Sequence, residues 1–536
     1  MSRVCDTPQR STSKLLALVD ELLLAVIDQI DFHSTLCNLA ATSSRFQGLA
    51  EPYVWRTLLV TSGAHARNIA YALDSREERS SYVQELSIQY PDDRRDGIEE
   101  LNHFIGLMSR LRHLTIESPC PNNSEWLGPA IYFDGSTRID YPTLLEASVF
   151  PRPGLPSVLP MLQRLTLHGH GTDDKKFVLG RSAVMFLHPT LRHIEISCTN
   201  FDAGTTHASI PLEKKKSTPL QSLTLIECNV NVKFLDVVLS LPKALKELRI
   251  GERQYVFEGC HPSYDPETRT SHPLFLDALA RQADSLERLA HNSGRLNFIV
   301  KPKTHKPTGN AKLRNLIKLE FLELGLESTL VSHLEANDCP PSLQTLKITD
   351  TAWWNQIRSP ESRHPGAVLG HCSKIIQNIS NTINLDIRFD DHNCEDILGV
   401  PRTSPALESI VGGPIREPLY KLASALTSRN ARLRLYAFHF VDGKRFIPPY
   451  MYGEEAPYER QFYDSDDFWR VSGTNYRILD DEEYYEKVCK KDDRVFCAPC
   501  EGAGVQCKNS GDGTPCFRCE VTRIECVYVG PPEVME

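Results

Sequence analysis

A six-residue pattern, Leu-x-x-Leu-x-Ile/Leu with Val tolerated at the start, recurs between residues 83 and 348. It occurs as Val83–Ile88, Leu111–Ile116, Leu162–Leu167, Leu191–Ile196, Leu220–Leu225, Leu245–Ile250, Leu319–Leu324 and Leu343–Ile348. The steps between the first six starts are 28, 51, 29, 29 and 25 residues, and the last two copies are 24 apart. The Leu-x-Ile half alternates apolar and free positions, as a strand with one buried face requires. One such strand cannot bury its apolar side alone, so neighbouring copies must share a core. Helical spacing at 98–109, 232–241 and 274–283 supplies returning helices between them.

The pattern is similar to that of leucine-rich repeats, whose periods run about 20–29 residues. The resemblance implies an irregular repeat solenoid over residues 80–440, with loop insertions at 120–158 and 252–273 that are rich in Pro and polar or aromatic residues. The alternative is an ordinary α/β domain whose strands read alike.

Upstream of the hexads, Leu18, Leu22, Leu23, Val26, Ile27 and Ile30 keep helical spacing. Asp20 and Glu21 suit a first turn, where the helix dipole favours negative charge. Leu36, Leu39, Ala40 and Ser43 share a second helical face. Phe46, Leu49 and Ala50 mark a third helical stretch, whose continuation Pro52 limits. Trp55 and Leu58 close the set. Residues 1–13 are polar and are expected to be disordered.

This ordered set, Leu18-Val19-Asp20-Glu21-Leu22-Leu23, Ile27, Leu36 to Phe46, Leu49 to Tyr53 and Trp55-Arg56, resembles the F-box motif over residues 14–60. Where that family usually has Leu-Pro, this chain has Leu18-Val19. The resemblance implies that Leu18, Val19, Leu22, Leu23, Ile27, Leu36, Leu39 and Trp55 meet the Skp adaptor of a cullin–RING ligase, some of them holding the unit's own core instead. A small amphipathic helical cap is the plainer alternative.

Chemistry concentrates at the far end. Of 16 cysteines, ten are scattered singly from Cys5 to Cys489. The other six are Cys497, Cys500, Cys507, Cys516, Cys519 and Cys526, in the spacing C-x2-C-x6-C-x8-C-x2-C-x6-C. Two thiolates separated by two residues can reach one tetrahedral ion at about 2.3 Å. Six thiolates serve two zinc ions with four ligands each only if two sulfurs bridge. A single zinc held by Cys497, Cys500, Cys516 and Cys519 is the competing arrangement.

The spacing closely resembles the fungal binuclear zinc cluster, within 496–530. The resemblance implies two Zn²⁺ with Cys497 and Cys516 bridging. DNA-reading members carry Arg and Lys between the second and third cysteines, whereas here that stretch is Glu501-Gly502-Ala503-Gly504-Val505-Gln506. Phosphate neutralisation drives DNA affinity, so DNA is not the expected partner of this module.

Charge agrees: 60 Lys+Arg face 69 Asp+Glu, a net charge of −9. The acidic and aromatic stretch within 441–495 is either a linker or a segment that docks on the preceding domain. No run of about 18 apolar residues offers a membrane span, and Asp20, Glu21 and Asp28 interrupt the most apolar N-terminal stretch. The chain is expected to be intracellular, in nucleus or cytoplasm, where thiols stay reduced. No phosphate loop, nucleophile elbow or zinc-protease motif occurs. His168 and His170 are expected to form a surface pair.

The sequence therefore predicts an α/β protein of three parts: a small N-terminal helical F-box, an irregular leucine-rich-repeat solenoid and a small C-terminal zinc-bound module. The expected function is non-enzymatic: a substrate-recognition adaptor of an SCF-type ubiquitin ligase that binds the Skp adaptor and a target protein. A zinc-cluster transcription regulator and a ligase-independent F-box scaffold are the alternatives.

Overall fold

A computed structural model describes residues 14–90, 96–117, 139–168, 177–197, 199–201, 214–252, 269–270, 273–293, 311–325, 328–350, 366–379, 382–390, 416–439 and 458–465. The chain divides into two compact units, Met1–Lys243 with Phe257–Pro262, and Ala244–Val256 with Ser263–Glu536.

The first unit opens with three helices, α1 (Asp20–Ile27), α2 (His33–Thr42) and α3 (Ser44–Val54). The Ser43 hydroxyl accepts from the Phe46 amide and so starts α3, a cap worth about 1 kcal/mol. Pro52 does not stop this helix, which runs two residues further to Val54. Strand β1 (Thr57–Val60) follows at once. The order of the sheet is then β1, β2 (Glu85–Ile88), β3 (His113–Glu117), β4 (Arg164–His168), β6 (His193–Ser197) and β8 (Ser222–Val230), every neighbouring pair parallel. Two short strands, β5 (Phe177–Val178) and β7 (Thr199–Phe201), extend a parallel ladder beside β8.

The second unit repeats the arrangement. Parallel strands β9 (Glu247–Glu252), β10 (Arg288–Asn292), β11 (Phe321–Gly325), β12 (Thr345–Asp350), β13 (Asn384–Asp390) and β14 (Leu433–His439) lie side by side. Helices at Leu274–Ala280, Leu330–Glu335, Gly366–Asn378 and Arg416–Thr427 lie between successive strands. Strand β15 (Tyr458–Asp464) runs antiparallel on β14, with a register shift between Leu435 and Tyr436.

Register explains the core. In the first unit Leu86, Leu114, Leu165, Ile194 and Leu223 form one lateral row, and Ile88, Ile116, Leu167, Ile196 and Leu225 a second. The second unit has Leu248, Leu289, Leu322, Leu346, Leu385 and Leu433 in one row. All of these side chains are buried. Each contributes about 1.5–3 kcal/mol relative to exposure. The leading residues Val83, Leu111, Leu162, Leu191, Leu220, Leu245, Leu319 and Leu343 are buried as well.

The α/β class fits the sequence reading, but the F-box-plus-solenoid layout of its first two parts is corrected; the C-terminal cysteine module lies outside the described residues. In place of a helical F-box standing before a leucine-rich-repeat solenoid, the described residues form parallel strands with interleaved helices, six on the main path in each unit, with β5 and β7 as a short parallel addition in the first. The plainer alternative, an α/β arrangement whose strands read alike, is the one found. Parallel strands buried by crossover helices demand the same apolar spacing that was read as a solenoid repeat. The N-terminal helices do not stand apart either. They lead within two residues into β1, and the buried Glu51 of α3 accepts from Arg79 Nε at 2.6 Å and pairs with Arg76.

A second correction concerns His168. It is buried rather than on the surface, and its Nδ1 meets the Ser197 hydroxyl.

Candidate functional site

Two arrangements among the described residues are built for interaction. The first is on α1. Leu23 and Ile27 are both buried, and Ile27 joins Leu36 and Ala50 in a small core with Leu39, Leu49, Tyr53 and Val54 packed against it. A helix this short has only two faces to divide. The outward one carries Val19, Leu22 and Val26, which are 57%, 53% and 51% exposed, spaced three and four residues apart. Leu15 precedes them, and Phe32, at the start of α2, is 74% exposed. Scattered exposed apolar residues are ordinary; several on one helix face, with an exposed Phe at the start of the next helix, make a candidate interaction surface.

Polar contacts hold this face in place. Arg45 of α3 donates to Asp20 from Nε and Nη2 at 3.0 and 2.7 Å, and to the Leu18 carbonyl at 2.7 Å. Asp20 thus serves as an anchor for the start of α1 as well as a helix-dipole partner. His33 Nε2 meets the Val54 carbonyl at 3.1 Å and closes α2 onto the end of α3.

The residues singled out from the sequence separate into three groups. Val19 and Leu22 face solvent, whereas Leu23, Ile27 and Leu36 are interior. Leu18, Leu39 and Trp55 are half-buried, and the Arg79 guanidinium sits 5.1 Å over the Trp55 ring. Leu15, Val26 and Phe32 were not among them. Val26 lies four residues after Leu22 and seven after Val19, at the spacing of one helical face, but only packing separates it from Leu23 and Ile27.

The second arrangement crosses the second unit. The residue between the two core rows of each strand forms its own lateral row: Arg249, Ala290, Glu323, Lys347, Asp386 and Arg434, continued on β15 by Asp464. From Glu323 onward its charges alternate, so each strand faces opposite charge on its neighbour. Arg434 grips Asp386 through two bonds of 2.7 and 2.8 Å. The matching row of the first unit is mostly hydroxyl: Ser87, Thr115, Thr166, Glu195 and Thr224.

Glu323 is buried and lies 3.8 Å from Arg249, 4.0 Å from Lys347 and 3.6 Å from Arg388. Glu459 of β15 adds a second carboxylate there. Both its oxygens are 2.7 Å from Lys347 Nζ, and one is 3.2 Å from Arg388. Burial alone would push the Glu459 carboxyl up; the two cations more than offset that and hold it below its ordinary value.

No group of three or more His, Cys, Asp or Glu side chains suited to a metal occurs among the described residues. Cys497, Cys500, Cys507, Cys516, Cys519 and Cys526 all lie outside them. Four cysteines, Cys37, Cys228, Cys339 and Cys372, are described, far apart in sequence. No helix among the described residues is long and apolar enough to cross a membrane. No protein-family model matches the chain, and no curated protein matches it.

Proposed function

We propose that this protein is a substrate-recognition adaptor of a cullin–RING ubiquitin ligase. Its N-terminal helices bind the Skp adaptor, its sheet units hold a target protein, and it performs no bond chemistry itself. Its contribution to the rate is proximity, bringing a target lysine to a charged ubiquitin carrier. The observation that carries the reading is the outward face of α1, Val19, Leu22 and Val26, joined by Phe32. It lies within the stretch that resembles an F-box. The six cysteines of 497–526 hold two zinc ions in a module that contacts protein rather than DNA; the cysteine spacing and the absence of Arg and Lys between Cys500 and Cys507 support this.

Co-expression with the Skp adaptor, followed by size-exclusion chromatography, tests the proposal. Wild type co-elutes with the adaptor, and a Leu22→Asp, Val26→Asp variant elutes alone with an unchanged unfolding midpoint. A wild-type chain that elutes as a lone monomer sinks the reading. Recovery of the cullin in the same complex separates a ligase adaptor from a scaffold that works outside any ligase.

A further inference from the structure

Strand β15 is the odd member of the second unit. Among the described residues strands β9 to β14 run parallel to one another, whereas β15 is antiparallel, laid on the outer edge of β14. Any extended peptide can supply the backbone bonds of such an edge; selectivity then comes from the side chains it points at the sheet. On β15 Glu459 presents a carboxylate that meets Lys347 on β12 and Arg388 on β13. Ser465 closes the end of the strand, its buried hydroxyl accepting from the Leu433 amide at 3.0 Å.

Among the described residues, Glu459 adds a second carboxylate to a cluster of three cations. Arg249, Lys347 and Arg388 surround the single buried carboxylate of Glu323, while Asp386 and Arg434 neutralise each other. Lys347 and Arg388 are half-buried with Glu459 in place. Removing one of the two carboxylates from these partly desolvated cations is costly. The place therefore calls for an anionic side chain carried on an extended backbone.

We propose that the edge of β14 together with Lys347 and Arg388 is a docking site for an extended acidic peptide of a partner protein, and that β15 fills it as an internal stand-in. The partner's strand pairs with β14 and sets a Glu or Asp carboxylate between the two cations, displacing β15. The inference concerns the second unit alone and does not rest on the adaptor reading; its test needs no Skp adaptor.

The probe is a fluorescent synthetic peptide with the sequence of residues 458–465, added to the full-length chain. Glu459→Gln in the protein weakens the internal strand and raises probe affinity at least tenfold over wild type. A probe with Gln in place of its own Glu loses that gain. Equal binding by wild-type and variant protein, or by the two probes, overturns the proposal. Wild-type protein supplies a measurement free of any folding defect. Excess probe should speed amide hydrogen exchange across residues 458–465 at least threefold while leaving β13 unchanged, and no acceleration likewise overturns it.

Discussion

Glu51, buried near the end of α3, accepts a hydrogen bond of 2.6 Å from Arg79, 28 residues along the chain. That bond, with the adjoining Arg76 pair, joins the N-terminal helices to the segment leading into β2. Breaking a fully buried ion pair costs about 3–5 kcal/mol, and both arginines retain some solvent contact. Glu51→Ala is therefore expected to destabilise the first unit by about 2 kcal/mol, read as a lower urea midpoint.

The two faces of α1 respond to mutation in opposite ways. Ile27→Ala removes interior volume and is expected to cost about 3 kcal/mol. Val26→Asp, one residue away but half-exposed, is expected to move the unfolding midpoint by less than about 0.5 kcal/mol while abolishing co-elution with the Skp adaptor. Urea titration of both variants beside wild type separates folding from binding.

Two buried histidines make stability depend on pH. Burial lowers His291 to about 3 and His188 to about 4, from 6.5. His291 occupies a core-row position between Ile250 and Leu324. The Thr270 hydroxyl donates to Glu252 at 2.7 Å, so it accepts from His291 Nε2 at 3.0 Å. Nδ1 then accepts from Ser328 at 2.7 Å, which fixes a neutral ring. Both rings are neutral, folded and unfolded, above pH 6.5. Below it the unfolded chain takes up protons first, so stability falls with pH. Each residue is expected to remove about 1.4 kcal/mol per pH unit, His188 down to about pH 4 and His291 down to about pH 3. Denaturant midpoints between pH 7 and pH 5 measure the slope, and His188→Gln should reduce it by that residue's share.

Gly63 starts the helix Gly63–Asp74, and a Cβ there would overlap the Asp96 carbonyl. The opposing backbone has little freedom. Gly97 sits at φ +106°, and Arg67 Nη1 donates to the Asp96 carbonyl at 2.7 Å. Gly63→Ala is expected to cost about 2 kcal/mol through forced backbone displacement, seen as a lower melting midpoint.

Metal content is a direct check on the C-terminal cysteines. Full-length protein purified without chelator is expected to carry about two zinc ions, because six thiolates with two bridges satisfy two tetrahedral sites. Elemental analysis returning one zinc would favour the four-cysteine site; none would remove the metal from the proposal.

Much of the strand placement was legible because eight hexads spell out two core rows. The last four residues of each of those eight lie on a strand. Strands β10, β13 and β14 escaped the pattern for local reasons. Leu286-Glu287-Arg288-Leu289-Ala290-His291 ends in a polar residue whose burial depends on Thr270 and Ser328, far away in sequence. In β13 and β14 the leading buried residue, Ile383 or Ala431, lies two residues before the row leucine instead of three. The charged row was hidden differently. Arg249, Glu323 and Lys347 stand at positions that the hexad writes as x, and only register shows that they face one another. Likewise, Leu22 and Leu23 read alike until packing sends one outward and the other inward.

The lateral phase of the strands also decides where this chain can change length. A single residue added inside β3 or β12 would turn its Leu and Ile outward and carry Thr115 or Lys347 into the interior. Segments between strands carry no such restriction, and the 51-residue step from Leu111 to Leu162 is nearly twice its neighbours. Evolutionary gain and loss of sequence, and any engineered tag or reporter, belong in those connections.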